Sequence, residues 1–263
     1  MNRLLLGSFA LILFAGQAPA AEIHVVSSGG FAAAYKQLAP EFEKQTGNSL
    51  DSAWGPSMGD THDAVPQRLT RGEPIDVVIM VGYALDQLVQ QGKVIPDSRK
   101  ALARSLIGIA VKAGAPKPDV STPEALKDAL LKAKSIAYSD SASGVYVQNV
   151  LLKKLGISEQ VRGKAHMIPA EPVGLVVARG EAEIGFQQIS ELKPIAGLDL
   201  LGPLPSEVQK VTIFSAGIVV GAKEPDAGKA LIAFLASPRA AEAIMDSGLE
   251  PITAATPEKT GNK

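Results

Sequence analysis

Three times this chain runs from a strand-like stretch through a Ser/Gly-rich turn into a helical one, and that repeated grammar constrains its fold more than any other feature. The first instance spans residues 23–35: an apolar strand at 23–26, then Ser27-Ser28-Gly29-Gly30, then a helix from Phe31. The second follows a strand at 49–54 and reads Gly55-Pro56-Ser57-Met58-Gly59-Asp60-Thr61, with a helix expected over 62–71. The third follows SIAYS at 135–139 and reads Asp140-Ser141-Ala142-Ser143-Gly144, with a helix from Val145 to Leu155. A helix N-terminus has N–H groups without intrahelical partners and a partial positive charge from aligned peptide dipoles, and glycine lets a ligand approach the backbone. One such turn is an ordinary strand-to-helix turn with a serine cap. Three of them at the carboxyl ends of strands, where ligands collect in open α/β sheets, predict a site for a compact anion or carboxylate.

The remaining segments continue the alternation. IDVVIM (75–80) is a continuous apolar run of the kind found in a strand covered on both faces, and Gly82-Tyr83 opens a helix that Gly92 closes. Strand, turn, helix, strand is the pattern of a parallel α/β sheet. A second unit begins near Arg104, after a helical segment, with a strand at 105–111. Ser121, Pro123 and Glu124 together predict a helix start with Ser121 as the cap. Short strands are expected at 166–168, 184–188 and 198–201, with a short helix at 172–178. The stretch 209–220 is long for one strand and suited to pass between two lobes, and 226–236 with 238–246 forms a helical pair. Pro40, inside the first helix, is expected to kink or divide it.

Residues 1–20 have the form of an export signal. A basic start (Met1-Asn2-Arg3) precedes an apolar run at 4–16, and Ala18-Pro19-Ala20 has the small-x-small form of a cleavage site, leaving Ala21 as the mature N-terminus. A periplasmic monomer with no membrane anchor after cleavage is the expectation. The formal charge of −1 offers no basic field for nucleic acid. With no cysteine in the chain, a disulfide framework, a thiolate nucleophile and cysteine metal sites are all ruled out. The three histidines, His24, His62 and His166, have no zinc-site spacing, and neither a metal nor a cofactor is called for.

The candidate site residues follow from the turns. Ser28, Gly29, Gly30, Ser57, Met58, Ser141, Ser143, Gly144 and Val145 belong to them, and Gln188 ends a later strand. Arg104, placed where the chain crosses to its second unit, is the one expected cation able to reach an anion from the hinge side, unless it forms a surface salt bridge. Gly55-Pro56-Ser57-Met58-Gly59 also matches the G-x-S-x-G elbow of hydrolases. Proline beside the serine is awkward for that strained turn, and too few strands precede it to supply an oxyanion hole, so a hydrolase triad is not expected.

Over nearly the whole mature chain the sequence resembles periplasmic solute-binding proteins of the molybdate-binding type. The resemblance rests on IHVVSSGGFAAAYKQLAPEFEKQTG, PIDVVIM, SIAYSDSASGVYVQNVLLKKLG, IPAEPVGLVVARGEAEIGFQQIS and ALIAFLASPRAAEAI. It implies a type II periplasmic-binding-protein fold of the α/β class, with a hinge and ligand cleft between two lobes. Lobe 1 would comprise 21–103 with about 214–250, lobe 2 would comprise 104–213, and 251–263 would be a flexible tail. It also implies that Ser28, Ser57 and the loop 140–145 supply oxyanion ligands. Gln188 stands where molybdate binders carry a tyrosine, which argues against molybdate. GAPKPDVSTPEALKDALLKAKSIAYSD and IGFQQISEL are similar to a branch that includes periplasmic aconitate isomerases. That branch implies a cofactor-free allylic proton shift between trans- and cis-aconitate. The shift needs a base, for which Glu171, His62 and Tyr83 are the candidates in this sequence, and the sequence does not choose among them. The alternative is a non-catalytic protein that delivers a small oxyanion or carboxylate to an ABC permease, and it would use the same clamps.

Overall fold

The structure is a computed structural model, and it describes residues 20–252. The signal segment read in 1–20 and the tail read in 251–263 lie outside these residues or at their edge. Eleven strands form two sheets: β1 (Glu22–Ser27), β2 (Ser49–Trp54), β3 (Val77–Val81), β4 (Lys100–Ser105), β5 (Ile107–Lys112), β6 (Ile136–Ser139), β7 (Ala165–Ile168), β8 (Ile184–Gln188), β9 (Leu198–Pro203), β10 (Thr212–Ile218) and β11 (Glu250–Pro251). The first sheet has the order β11-β4-β10-β3-β1-β2 and the second β7-β6-β8-β5-β9. β1 lies parallel to β2 and β3, and β6 parallel to β7 and β8. β10 runs antiparallel to β3 and β4, and β5 antiparallel to β8 and β9, so both sheets are mixed where the sequence suggested parallel ones. The chain passes between the sheets at Leu106 and returns between Pro203 and Thr212.

Lobe 1 is built on β3. Its five residues are all buried because helices cover both faces of the strand. Helix α1 (Gly29–Thr46) lays Phe31, Tyr35, Leu38 and Phe42 on the core at helical spacing, and Gly47 ends it in the left-handed conformation with its N–H on the Glu43 carbonyl. The Tyr35 ring packs edge-on against Trp54, and its hydroxyl meets Ser52 Oγ at 2.9 Å. Pro40 neither ends nor divides α1. The ring forfeits one backbone bond, and the burial of Leu38 and Phe42 on either side offsets the loss. Further helices of this lobe are α2 (Val65–Thr70), shorter than expected, and α3 (Gly82–Gln90).

In lobe 2, α4 (Pro123–Lys132) starts one residue later than the sequence suggested. Thr122 is the cap, its hydroxyl accepting the Ala125 N–H at 3.1 Å. Helix α5 (Ala142–Tyr146) follows β6 and continues through a wider π-type turn, Val147–Leu151, into Leu152–Lys154. Then come α6 (Val173–Arg179) and α7 (Ile189–Leu192). The second sheet packs apolar clusters on both faces, one around Ile109, Leu130 and Phe186 and a smaller one around Val173 and Val177. The chain returns to lobe 1 through β10, α8 (Pro225–Leu235) and α9 (Ala241–Asp246). Among the described residues no helix is long and apolar enough to cross a membrane. The segment before Ser105, read as helical, is strand β4, paired on both sides by β10 and β11.

One buried acid ties lobe 1 together. Asp76, just before β3, is 1% exposed. Its carboxylate accepts the N–H of His24 at 2.9 Å, of Lys223 at 2.7 Å and of Glu224 at 3.0 Å. It thereby joins β1 to the loop that enters α8. Asp76→Ala strands three buried donors and is expected to cost about 2–4 kcal/mol, with Asp76→Asn between it and the parent. Urea unfolding checks this; a loss below about 0.5 kcal/mol, the scale of an ordinary surface change, would show that the carboxylate is not holding these segments.

Candidate functional site

The three turns meet. The Ser28–Gly30 turn at the start of α1, the 55–63 loop and the 139–143 turn at the start of α5 line one cleft of about 400 Å3 between the lobes. Trp54, Val81, Ala170–Pro172, Gln187, Gln188, Glu191 and Phe214 complete its lining.

Local folding places the first turn with little freedom. The Ser28 N–H donates to the Ile79 carbonyl of β3, which aims the start of α1 at the cleft. Gly30 lies against Phe214, whose ring occupies the place a side chain would take. Ser28 is 3% exposed, and its Oγ has no partner among the described residues. Thr61 Oγ1 and Gln187 Oε1, also in the lining, are buried and unpartnered in the same way. Buried polar atoms are nearly always hydrogen-bonded, so three orphans around one cavity mark the place of a ligand.

The other polar groups are oriented for donation. Ser57 Oγ accepts the Val81 N–H at 3.0 Å, leaving its own proton for the cavity. Ser139 and Ser143 are linked by their hydroxyls at 3.0 Å. Asp140 Oδ2 accepts the N–H of Ala170, whose φ of 54° is unusual for a residue with a side chain, and this bond holds the opposite wall in place. Among the described residues of the lining there is no lysine or arginine, and no group of three or more potential metal ligands occurs in the described chain.

Of the residues singled out from the sequence, Ser28, Gly29, Gly30, Ser57, His62, Ser141, Ser143, Glu171 and Gln188 line the cleft. Met58, Tyr83, Arg104, Gly144 and Val145 do not. Arg104 lies in β4, 3.4 Å from the Glu250 carboxylate, which is the salt-bridge outcome. Gly144 is a packing residue: a side chain there would run into the Ser139 carbonyl, so glycine lets α5 close on β6. Val145 is exposed. Gln188 reaches the cleft, but both ends of its amide are occupied. Oε1 accepts from Ser105 Oγ at 2.7 Å and Nε2 donates to Thr212 Oγ1 at 3.2 Å.

The three expected bases are poorly placed for proton abstraction. Tyr83 is 45% exposed, its hydroxyl on Met58 Sδ at 3.6 Å, and burial of its ring pushes the phenol up, away from the phenolate. His62 is exposed at the rim, with Nδ1 3.1 Å from Asp63. Glu171 is fixed by Arg179 at 2.6 and 3.2 Å, and those bonds hold its carboxyl below the usual range, making it a weaker base.

A carboxylate that sequence reasoning missed occupies the cleft. Glu191, in the first turn of α7, is half-buried, and its Oε1 occupies the place where a Gly29 side chain would begin. Only glycine at 29 admits it. Burial pushes this carboxyl up to about 7; bonding from the Gln187 side chain and the Gln188 backbone opposes the shift, and the Asp140 charge adds to it. The neighbouring Ser190 hydroxyl donates to the Gly30 carbonyl at 2.7 Å, locking α7 of lobe 2 onto α1 of lobe 1. In the sequence, an acid three residues after Gln188 looks like an ordinary first-turn residue.

Residues 23–250 match the family model described as bacterial extracellular solute-binding protein. The chain is 52% identical over 254 residues to an aconitate isomerase from Pseudomonas sp, covering 97% of this chain and 96% of that one. It is 28% identical to a molybdate-binding protein from Azotobacter vinelandii over 247 residues, 90% of this chain and 92% of the other. The solved structure of an Azotobacter vinelandii periplasmic molybdate-binding protein superposes with a TM-score of 0.68 at 22% identity, covering 86% of this chain and 98% of that one. The two-lobed architecture is therefore that of the type II periplasmic binding proteins. With two α/β lobes, a cleft walled by three turns, and a family match across almost all of the described chain, this protein belongs to the bacterial extracellular solute-binding proteins.

Proposed function

We propose that this protein is a periplasmic aconitate isomerase that converts trans-aconitate to cis-aconitate by an allylic proton shift in the interlobe cleft. The observation that carries this reading is the 52% identity to the Pseudomonas aconitate isomerase, in a match that covers 97% of this chain. The site's chemistry supports it. A tricarboxylate needs several hydrogen-bond donors at fixed spacings, and the cleft offers hydroxyls on Ser28, Ser57, Thr61 and Ser143 together with the N-terminus of α1. The reaction moves one proton and one double bond, and it needs an acid–base group shielded from water, which two lobes closing on a ligand supply. The protein acts as an exported monomer, its signal removed before Ala21.

Membership of a solute-binding family favours a second reading, in which the protein only binds a small carboxylate and passes it to an ABC permease. A proton-NMR time course of purified protein with trans-aconitate separates the two. Growth of the cis-aconitate vinyl signal is expected, and a spectrum unchanged by stoichiometric protein, with binding intact, would leave the carrier reading.

The two serines should behave differently. Ser28→Ala removes a donor that no other described residue uses, so it is expected to weaken trans-aconitate binding about 10- to 100-fold, for a charge-assisted bond of about 1.5–3 kcal/mol. Its unfolding free energy should stay within about 0.5 kcal/mol of the parent. Ser57→Ala also strands the Val81 N–H, and should cost about 1–3 kcal/mol of stability besides affinity. Calorimetry and urea unfolding check both; parental affinity in Ser28→Ala would remove that residue from the site.

A further inference from the structure

The groups that could move a proton in the cleft can be named one by one. Lobe 1 contributes His62 and Asp63 at the rim, bonded to each other at 3.1 Å, with Arg68 also on Asp63 at 3.2 Å. Lobe 2 contributes Glu171, engaged by Arg179, and Asp140, which accepts the Ala170 N–H. The first turn of α1 carries no acidic residue. The remaining group is Glu191, which has no cationic partner among the described residues of the cleft and whose oxygen faces Gly29 at the start of α1. Ser28, the residue before that glycine, lines the same cleft, and its Oγ is buried and unpartnered.

We propose that Glu191 is the catalytic base that carries the proton from one carbon of the substrate to the other, an assignment that rests on the isomerase reading above. Its carboxylate takes a proton from the methylene carbon of trans-aconitate. The C–H electron pair becomes the new carbon–carbon double bond, and the pair of the old double bond shifts to the former vinylic carbon, where the attached carboxylate shares the charge. Glu191 then returns the proton to that carbon. One C–H bond breaks, one forms, and the total charge is unchanged, so neither an oxidant nor a co-reactant is needed. The start of α1 and the Ser28 hydroxyl, both in the cleft lining, offer donors for that charge. A carboxyl lifted to about 7 suits this task, because it is basic enough to remove a carbon-bound proton and still ionised in a useful fraction at neutral pH.

The experiment compares the parent, Glu191→Gln and Glu191→Asp with trans-aconitate in deuterated water, reading turnover and methylene deuteration by NMR and affinity by calorimetry. Glu191→Gln is expected to lose about 10²–10⁴-fold in kcat and to stop deuterating the methylene. Its affinity should match the parent or exceed it, since a negative charge beside the substrate is removed. Glu191→Asp should retain part of the turnover. In the parent, kcat/KM, which reports the free enzyme, should rise with pH through about 7 and then level off, because protonation below that range disables the base. This profile needs no variant and stands even if a substitution impairs folding. Parental turnover in Glu191→Gln, or a kcat/KM flat between acidic and basic pH, would overturn the assignment. So would loss of affinity in step with turnover in well-folded Glu191→Gln, which would make the carboxylate a binding contact. A parent that binds trans-aconitate but neither isomerises nor deuterates it would instead sink the isomerase reading itself.

Discussion

The amide of Gln188 joins the two places where the chain passes between lobes. Ser105 closes β4 before one crossing and Thr212 opens β10 after the other, and each hydroxyl bonds to one end of that amide. All three residues are buried. A buried amide held at both ends fixes its neighbours firmly, while losing one partner would leave an expensive orphan. At the end of β8 this chain uses a glutamine to brace the crossover.

An anion site without a nearby cation must rely on neutral donors. A helix N-terminus at an exposed position stabilises a negative charge by about 0.3–1 kcal/mol, whereas one hydrogen bond to a charged group contributes about 1.5–3 kcal/mol. The placed hydroxyls and amides therefore carry more of the affinity than the dipole field does. Such donors also select by spacing, since each must meet an oxygen at the right distance. A lysine-lined cleft would attract almost any anion.

Much of this was legible locally. The strand–turn–helix units, the helical spacing of Phe31, Leu38 and Phe42, and the choice of Ser28, Ser57 and Ser143 as turn residues all follow from patterns within short windows. What escaped depends on partners far along the chain. β4 is a strand because β10 and β11 flank it, though its own residues, Lys100–Ser105, lack a clear period. Arg104 looked like a ligand clamp because Glu250 lies so far away in sequence. Pro40 survives inside α1 because the core grips the helix on both sides of it. Glu191 acquires its character from the α1 turn some 160 residues earlier, against which Ser190 fastens it.

Where α7 sits on the hinge has a mechanical consequence. The Ile189 N–H bonds to the carbonyl of Leu106 in the first crossover, and Ser190 holds the first turn of α1. Glu191 directly follows these two anchored residues. The corner of the cleft that its carboxylate forms with Gly29 is therefore pinned to the crossover and to α1 at once, which leaves it little freedom to change shape.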